Sequence, residues 1–264
     1  MNEIPELEYL RFFYDNFSSD DIAGMFTLTH YIYIGLTLGG VILLVYLSRG
    51  IKDEQYKKIR SGLAISLTVM EVFKIGLRIY KGQPFDDWIP FYFCGLFIFA
   101  LWFSMTDSVI LSTVGNTYIA MGAIMAGVIF TLYPSTSLAL FPIWHPASIH
   151  AAIYHGAMIY LGCLTLMNGR YVPENSHFKY YCIYVSVICI ISIVLNRYLD
   201  TNCMFLDNPF GLPLLTELNE WCAPLYKLLA WFGQAVVLYW FDLGVCRLVS
   251  RFAKKSDGLI HITA

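Results

Sequence analysis

Charged residues are scarce in this chain, and their scarcity indicates its class. Only 14% of the 264 residues are charged, 58% are hydrophobic, and the mean hydropathy is +0.59. A soluble domain carries about 25% charged residues, so the composition excludes an ordinary soluble enzyme. Several apolar runs approach the roughly 20 residues that a helix needs to cross a bilayer, and they do not alternate with polar residues as barrel strands do. The sequence therefore predicts an all-α, polytopic membrane protein.

Three further absences narrow the function. No basic cluster with interleaved aromatic residues is present and the net charge is −2, so we expect no nucleic-acid partner. The seven cysteines include no CxxC pair, and His145, His150 and His155 are spaced by five residues, which leaves neighbouring side chains ~140° apart on a helix. We therefore expect no metal site and no cofactor. The acidic N-terminus lacks the basic start of a secretory signal, so the first span is expected to remain as a helix.

Seven segments have the length and composition of membrane-spanning helices. They are expected within a single integral membrane domain that covers residues 1–264. The spans are predicted near residues 26–47, 61–80, 89–105, 109–133, 147–166, 180–195 and 225–249.

Basic residues predict how these spans are oriented. Lysine and arginine near span ends are retained on the cytoplasmic side of a membrane. With seven spans, the most basic connections all fall on one side, so we expect the N-terminus outside and the C-terminus in the cytoplasm. The basic residues of that side are Arg49, Lys52, Lys57, Lys58, Arg60, Arg170, Lys179, Arg251, Lys254 and Lys255.

Ionisable side chains in the second span form a candidate binding face. Glu71, Lys74 and Arg78 follow i, i+3, i+7 spacing, so they share one side of the helix. Each costs about 2.5–3.5 kcal/mol at mid-span on insertion scales, so the face is expected to point into the bundle or a wet cavity. Two interpretations stay open: a structural Glu71–Lys74 pair with Arg78 reaching the headgroups, or a site for a polar ligand.

A thiol and an imidazole are predicted at similar depth from the outer surface. Cys94 lies about 8 Å into the third span and His155 roughly 12 Å into the fifth, at 1.5 Å per residue. Together they suit acyl transfer, in which a thiolate attacks an ester carbonyl and an imidazole moves the proton. The alternative is that Cys94 packs as a small hydrophobic residue and His155 serves as a hydrogen-bonding group.

Other polar residues near the outer ends of the spans complete the candidate site. His150 precedes His155 on the fifth span, and His30 lies near the start of the first. Asn196 and Asn202, at the end of span six and in its loop, are candidate donors to an oxyanion.

Several short motifs follow one another along the chain. The third span opens with WIPFYFC at 88–94, YHG surrounds His155, Asn196 closes span six, and TNCMFLDNPFG follows at 201–211. In order and spacing these motifs resemble those of the TMEM164/YwaF family of integral membrane proteins, in which the third span opens with W-(I/L)-P-x-x-x-C. Cys203 stands where the last of these motifs usually has tyrosine. The resemblance covers most of the chain.

The resemblance implies an acyltransferase that acts on phospholipid or lysophospholipid. By motif position, Cys94 is the acyl-carrying nucleophile and His155 its partner, with His150 as the second choice. In length and compactness the chain is more similar to the bacterial branch, so we expect a multi-pass protein of a bacterial plasma membrane that acts on membrane lipids.

Two functions of different classes are therefore open. The first is an intramembrane acyltransferase or acyl hydrolase that depends on Cys94. The second is a transporter or ligand-binding module for a small polar solute, which depends on Glu71, Lys74 and Arg78 instead. The absence of a visible inverted repeat weakens the second.

Overall fold

The computed structural model describes residues 22–80, 90–209 and 212–255. Within these ranges the chain forms α-helices, two 3₁₀ turns at Asn175–His177 and Cys203–Phe205, one π-helical turn at Gly233–Val237, and no strand. The helices are α1 Leu28–Ser48, α2 Asp53–Tyr80, α3 Leu96–Phe103, α4 Val109–Ala120, α5 Gly122–Leu132, α6 Pro146–Met167, α7 Phe178–Leu199, α8 Pro213–Phe232 and α9 Leu238–Lys255.

Capping residues and prolines explain where several helices begin. The side chains of Thr27 and Ser108 accept backbone N–H groups in the first turns of α1 and α4. Pro146 and Pro213 are the first residues of α6 and α8. The first N–H groups of a helix have no partner inside it. A capping side chain accepts one of them, and a proline at the first position has no N–H to satisfy.

Five helical segments of the described chain are long and apolar enough to cross a membrane, which confirms an all-α membrane protein. They match the first, fourth, fifth, sixth and seventh predicted spans. Their bounds are Leu28–Ser48, Val109–Leu132, Pro146–Met167, Asn175–Leu199 and Pro213–Leu248.

The second and third predicted spans have a different character. Glu71 and Lys74 interrupt the apolar run of α2, so this helix is not among the five. The third span is much shorter than predicted because α3 has only eight residues, or about 12 Å of helix, against a hydrocarbon core of about 30 Å. Residues 92–95 form a bend and turn instead of helix, while Trp88 and Ile89 lie outside the described residues.

Two of the predicted spans are interrupted helices. The fourth breaks at Met121, whose ψ of −76° separates α4 from α5. The seventh begins at Pro213 rather than near residue 225. It kinks at Cys222, two residues before Pro224, and contains the π-helical turn. A proline inside a helix removes one backbone hydrogen bond and bends the helix. Because the helix already begins at Pro213, the connection after span six is shorter than the sequence suggests.

Contacts between connections define two ends of the bundle. At the first, which we call the basic end, Asn168 accepts the N–H of Gly50 and Arg170 donates to the carbonyl of Ile51. At the opposite end, the Cys94 end, Gly24 donates its N–H to the carbonyl of Leu138. Helix α6 runs between the ends and contacts α1, α2, α4 and α5, so it forms the centre on which these four helices pack.

Candidate active site around Cys94

Cys94 lies on the turn that precedes α3, at the Cys94 end of the bundle. Hydroxyl groups from three different helices donate to backbone carbonyls of this segment. We call these residues the anchoring tyrosines: Tyr118 of α4 donates to Phe93, Tyr154 of α6 to Cys94 at 3.1 Å, and Tyr184 of α7 to Leu96 at 2.9 Å. The turn is therefore held from three sides by buried side chains.

A glycine completes the turn. A Cβ atom on Gly95 would overlap the carbonyl oxygen of Pro90, and it would also crowd the carbonyl oxygen of Tyr92. Only glycine allows the backbone to close this tightly, so Gly95 fixes the direction in which the chain enters α3 and the place of Cys94 beside it.

The connection between α7 and α8 covers the turn. The N–H of Met204 donates to the carbonyl of Phe91 at 2.9 Å, and the ring of Phe205 lies 5.3 Å from that of Tyr92. Gln234, in the π-helical turn, donates to the carbonyl of Met204 at 3.0 Å. Met204 and Phe205 have φ of 55° and 54°, which costs non-glycine residues energy and is typical of functional sites.

Asn196, near the end of α7, and Asn202, in the covering loop, are the predicted oxyanion donors, and the amides of both bond this loop. The amide of Asn196 donates to the carbonyl of Cys203 and accepts from the Cys203 N–H and the Thr201 hydroxyl. The amide of Asn202 bonds the backbone of Asp207 and Asn208. Each amide therefore holds the loop in its conformation, and the observed hydrogen bonds are not directed at a substrate.

His155 is buried in α6 with one ring nitrogen engaged. Its Nδ1 lies 2.8 Å from the carbonyl oxygen of Ala151, and its ring stacks on Phe130 with centroids 3.6 Å apart. Because a carbonyl only accepts, Nδ1 carries the proton and Nε2 holds the free lone pair. Nε2 is buried and has no hydrogen-bond partner among the described residues. A neutral imidazole with a free Nε2 is the form that a general base needs.

Tyr154 lies between the histidines and Cys94. Its ring lies 5.8 Å from that of His150, at 19°, and 5.6 Å from that of His155, at 62°. Its hydroxyl reaches the carbonyl of Cys94. The structure thus brings Cys94, His150 and His155 to one region, although no hydrogen bond joins the Cys94 thiol to His155 within the described residues. The half-buried thiol also packs against the hydrophobic core.

The predicted charged face of α2 meets the same region. Glu71 is buried and lies 2.5 Å from Lys74, and its second oxygen lies 3.8 Å from Nε2 of His150. The polar group that meets this face is therefore a histidine of α6. The side chain of Arg78 lies outside the described part of the chain.

His30 takes part in a different contact. Its Nδ1 accepts the N–H of Phe26 at 3.0 Å, and its Nε2 bonds the carbonyl of Thr131 at 3.2 Å. The Nε2 bond ties the start of α1 to the end of α5, and the Nδ1 bond is local to the turn that leads into α1, so His30 is a structural residue in this conformation.

Sequence reasoning missed the anchoring tyrosines. Chains of this composition contain many tyrosines, 19 here, and membrane interfaces and packing account for most of them. Tyr154 stood next to His155 in the YHG motif, which was the one signal available. Tyr118 and Tyr184 carried no local signal because their role depends on which helices surround the turn.

The helices and this polar region define an integral membrane protein with a candidate cysteine–histidine site between its helices. A model of the TMEM164 family matches residues 25–241, most of the chain, so the chain belongs to the TMEM164 family. Comparison with curated proteins and with solved structures finds no match. No group of three or more metal-ligating side chains occurs in the described ranges.

Proposed function

We propose that the chain is an intramembrane acyltransferase or acyl hydrolase that acts on phospholipid or lysophospholipid. Cys94 is the nucleophile and His155 is the base. The observation that supports this most is the buried Nε2 of His155, which has no partner among the described residues and lies on the helix whose Tyr154 holds the Cys94 turn. A buried polar atom without a hydrogen-bond partner lowers the stability of the folded protein by about 1–3 kcal/mol. A functional role explains why such an atom is kept.

The reaction has two balanced steps. His155 Nε2 takes the thiol proton, the sulfur attacks the acyl carbonyl, and the ester C–O bond breaks as the leaving alcohol takes that proton. In the second step, Nε2 takes a proton from the acceptor alcohol or water, the oxygen attacks the thioester, and the sulfur leaves and is reprotonated. The position of Cys94 just before α3 places the thiolate near the positive end of a helix dipole.

Acyl transfer is tested with the purified protein in phospholipid vesicles that contain lysophospholipid. We expect Cys94→Ala and His155→Gln to lower transfer at least a hundredfold, and mass spectrometry of the wild type to find an acyl group on Cys94. Cys163→Ala, which removes a thiol four residues before the end of α6, is the matched control and keeps its activity. Full activity of Cys94→Ala would remove the proposal.

A ligand-binding module or transporter for a small polar solute is the alternative, and the charged cluster supports it. Glu71 is buried whereas the side chains of Lys74 and His150 are 35% and 22% exposed, so the cluster is accessible. In this alternative, solute binding is lost in Glu71→Gln and survives alkylation of Cys94. Because the charged cluster adjoins Tyr154 and His155, a single site that includes both the cluster and the Cys94–His155 pair is the simpler arrangement.

We propose seven crossings, with the N-terminus outside, the C-terminus in the cytoplasm and the Cys94 end at the outer face. The number is supported by the passes that the chain makes between the two ends of the bundle. These passes are α1, α2, α3, α4–α5, α6, α7 and α8–α9. The basic end carries the loops that positive charge retains in the cytoplasm. For the location, we propose the plasma membrane of a bacterium.

A further inference from the structure

We propose that Tyr154 is a positioning residue that sets the distance and angle between Cys94 and His155. This rests on the proposed function and gives a role to Tyr154, which the YHG motif contains but to which neither the motifs nor the family resemblance assigns one. Tyr154 touches both partners: its hydroxyl binds the carbonyl of Cys94, and its ring contacts that of His155.

Comparison with the other two anchoring tyrosines separates positioning from folding. Each of the three binds one carbonyl of the same segment. The rings of Tyr118 and Tyr184, however, contact each other, and Tyr184 also contacts Phe103. Tyr154 is the one among them whose ring lies against His150 and His155, so its hydroxyl joins the turn to the helix that carries both histidines.

The hydrogen bond of Tyr154 is suited to positioning because the turn does not depend on it alone. The carbonyl of Cys94 also accepts the N–H of Phe97 at 3.0 Å. Removal of the Tyr154 hydroxyl therefore leaves no unsatisfied carbonyl, and the start of α3 keeps its helical bond. What is lost is the restraint that holds Cys94 at a fixed distance from α6.

The other groups in the region are already fixed. Stacking on Phe130 and the bond to Ala151 hold the ring of His155, and the ring of Tyr154 packs at 77° to Phe97. Because these groups are fixed, loss of the Tyr154 hydrogen bond moves Cys94 relative to His155. A displacement near 1 Å between reacting atoms lowers the reaction rate by up to about a hundredfold.

The test measures alkylation of Cys94 by a maleimide as a function of pH, with the modified residue identified by mass spectrometry. The variants are Tyr154→Phe, His155→Gln and their double, with Tyr184→Phe as the matched control that loses an equivalent hydrogen bond. Other ionisable groups surround the site, and the variants keep all of them except Tyr184 in the control. These groups are Glu71 and Lys74 of α2, Tyr118 of α4, His150 of α6 and Tyr184 of α7.

We expect Tyr154→Phe to slow Cys94 alkylation about tenfold. It should also abolish the change of the alkylation rate with pH that depends on His155, which is the change that His155→Gln abolishes. The double variant is then no slower than His155→Gln alone, because the two residues act as one unit. Tyr184→Phe keeps the pH profile and combines additively with His155→Gln, while thermal unfolding shows that both tyrosine variants are folded. A wild-type profile in Tyr154→Phe, or additivity with His155→Gln, overturns the inference.

The acyl-enzyme assay distinguishes this inference from the proposed function. If wild-type protein forms acyl-Cys94 and Tyr154→Phe forms it at the same rate, the positioning role is wrong and the acyltransferase proposal stands. If wild-type protein forms no acyl-Cys94 with any phospholipid while Tyr154→Phe uncouples the thiol from His155, the geometric inference stands and the proposed function is wrong.

Discussion

At the scale of single residues, two buried carboxylates have opposite surroundings. Asp242 of α9 is 6% exposed, and its buried Oδ2 has no hydrogen-bond partner among the residues that the structure describes. Glu71, 8% exposed, is paired with Lys74. A buried charge is stabilising only when it is paired, so replacement of the two carboxylates by amides should have effects of opposite sign.

We predict that Asp242→Asn raises the free energy of unfolding by about 1–3 kcal/mol, because a neutral amide is easier to bury than an unpaired carboxylate. Glu71→Gln should lower it by roughly the same amount, since Lys74 then loses its partner. Thermal unfolding in detergent measures both. A destabilised Asp242→Asn would mean that the carboxylate has a partner in the membrane.

The candidate site also shows which residue roles a sequence can reveal. Motif and depth single out Cys94 and His155 because a thiol and an imidazole are chemically conspicuous, and their catalytic roles stay a prediction. The satisfied amides of Asn196 and Asn202 and the structural bonds of His30 were not predictable, since hydrogen-bond partners depend on the rotation of each helix. The three anchoring tyrosines were missed for the same reason.

At the scale of elements, the turn before α3 depends on a close backbone approach. We predict that Gly95→Ala displaces this turn, because the added methyl group overlaps the carbonyl of Pro90. Activity and Cys94 alkylation should fall more than tenfold, about the effect of a misplaced reacting group. Gly76→Ala in α2, where a Cβ meets nothing within 4 Å, is the control and should be neutral or slightly stabilising. Equal effects of the two variants would show that the turn tolerates a side chain.

The end of α7 offers a second test of backbone conformation. Asp200 is exposed and has φ of 53° in the left-handed region that glycine adopts without cost. Asp200→Gly should therefore raise the free energy of unfolding by roughly 0.5–1 kcal/mol. Leu199→Gly, one residue earlier and inside the helix, should lower it by a similar amount. A destabilised Asp200→Gly would argue against this geometry at the end of α7.

Apolar length predicted most elements and missed their interruptions. The long runs of α1, α6 and α7 were placed within a few residues because hydrophobic length is a property of the local sequence. The irregular segment before α3 arises from tertiary packing: a covering loop binds Phe91, and the anchoring tyrosines bind the carbonyls that follow it. No local pattern records such contacts.

At the scale of the whole molecule, basic side chains gather where the connections at one end meet. Arg170 bonds the carbonyl of Ile51, Arg60 bonds that of Ser104, and Arg247 bonds the side chain of Asn175. Four connections or helix ends that are distant in sequence therefore share a basic end, and the Cys94 turn lies at the opposite one. Since positive charge resists translocation, this separation predicts a direction in the membrane.

We predict that the Cys94 end faces outward, and labelling of single cysteines on intact cells measures this. In a variant whose native cysteines are replaced by alanine, Thr136→Cys, in the exposed connection between α5 and α6, should react with a membrane-impermeant maleimide. Ser176→Cys, exposed at the basic end, should react only after the cells are permeabilised. The reverse pattern would place the Cys94 site at the cytoplasmic face, so the proposed enzyme would act on lipids of the inner leaflet instead of the outer one.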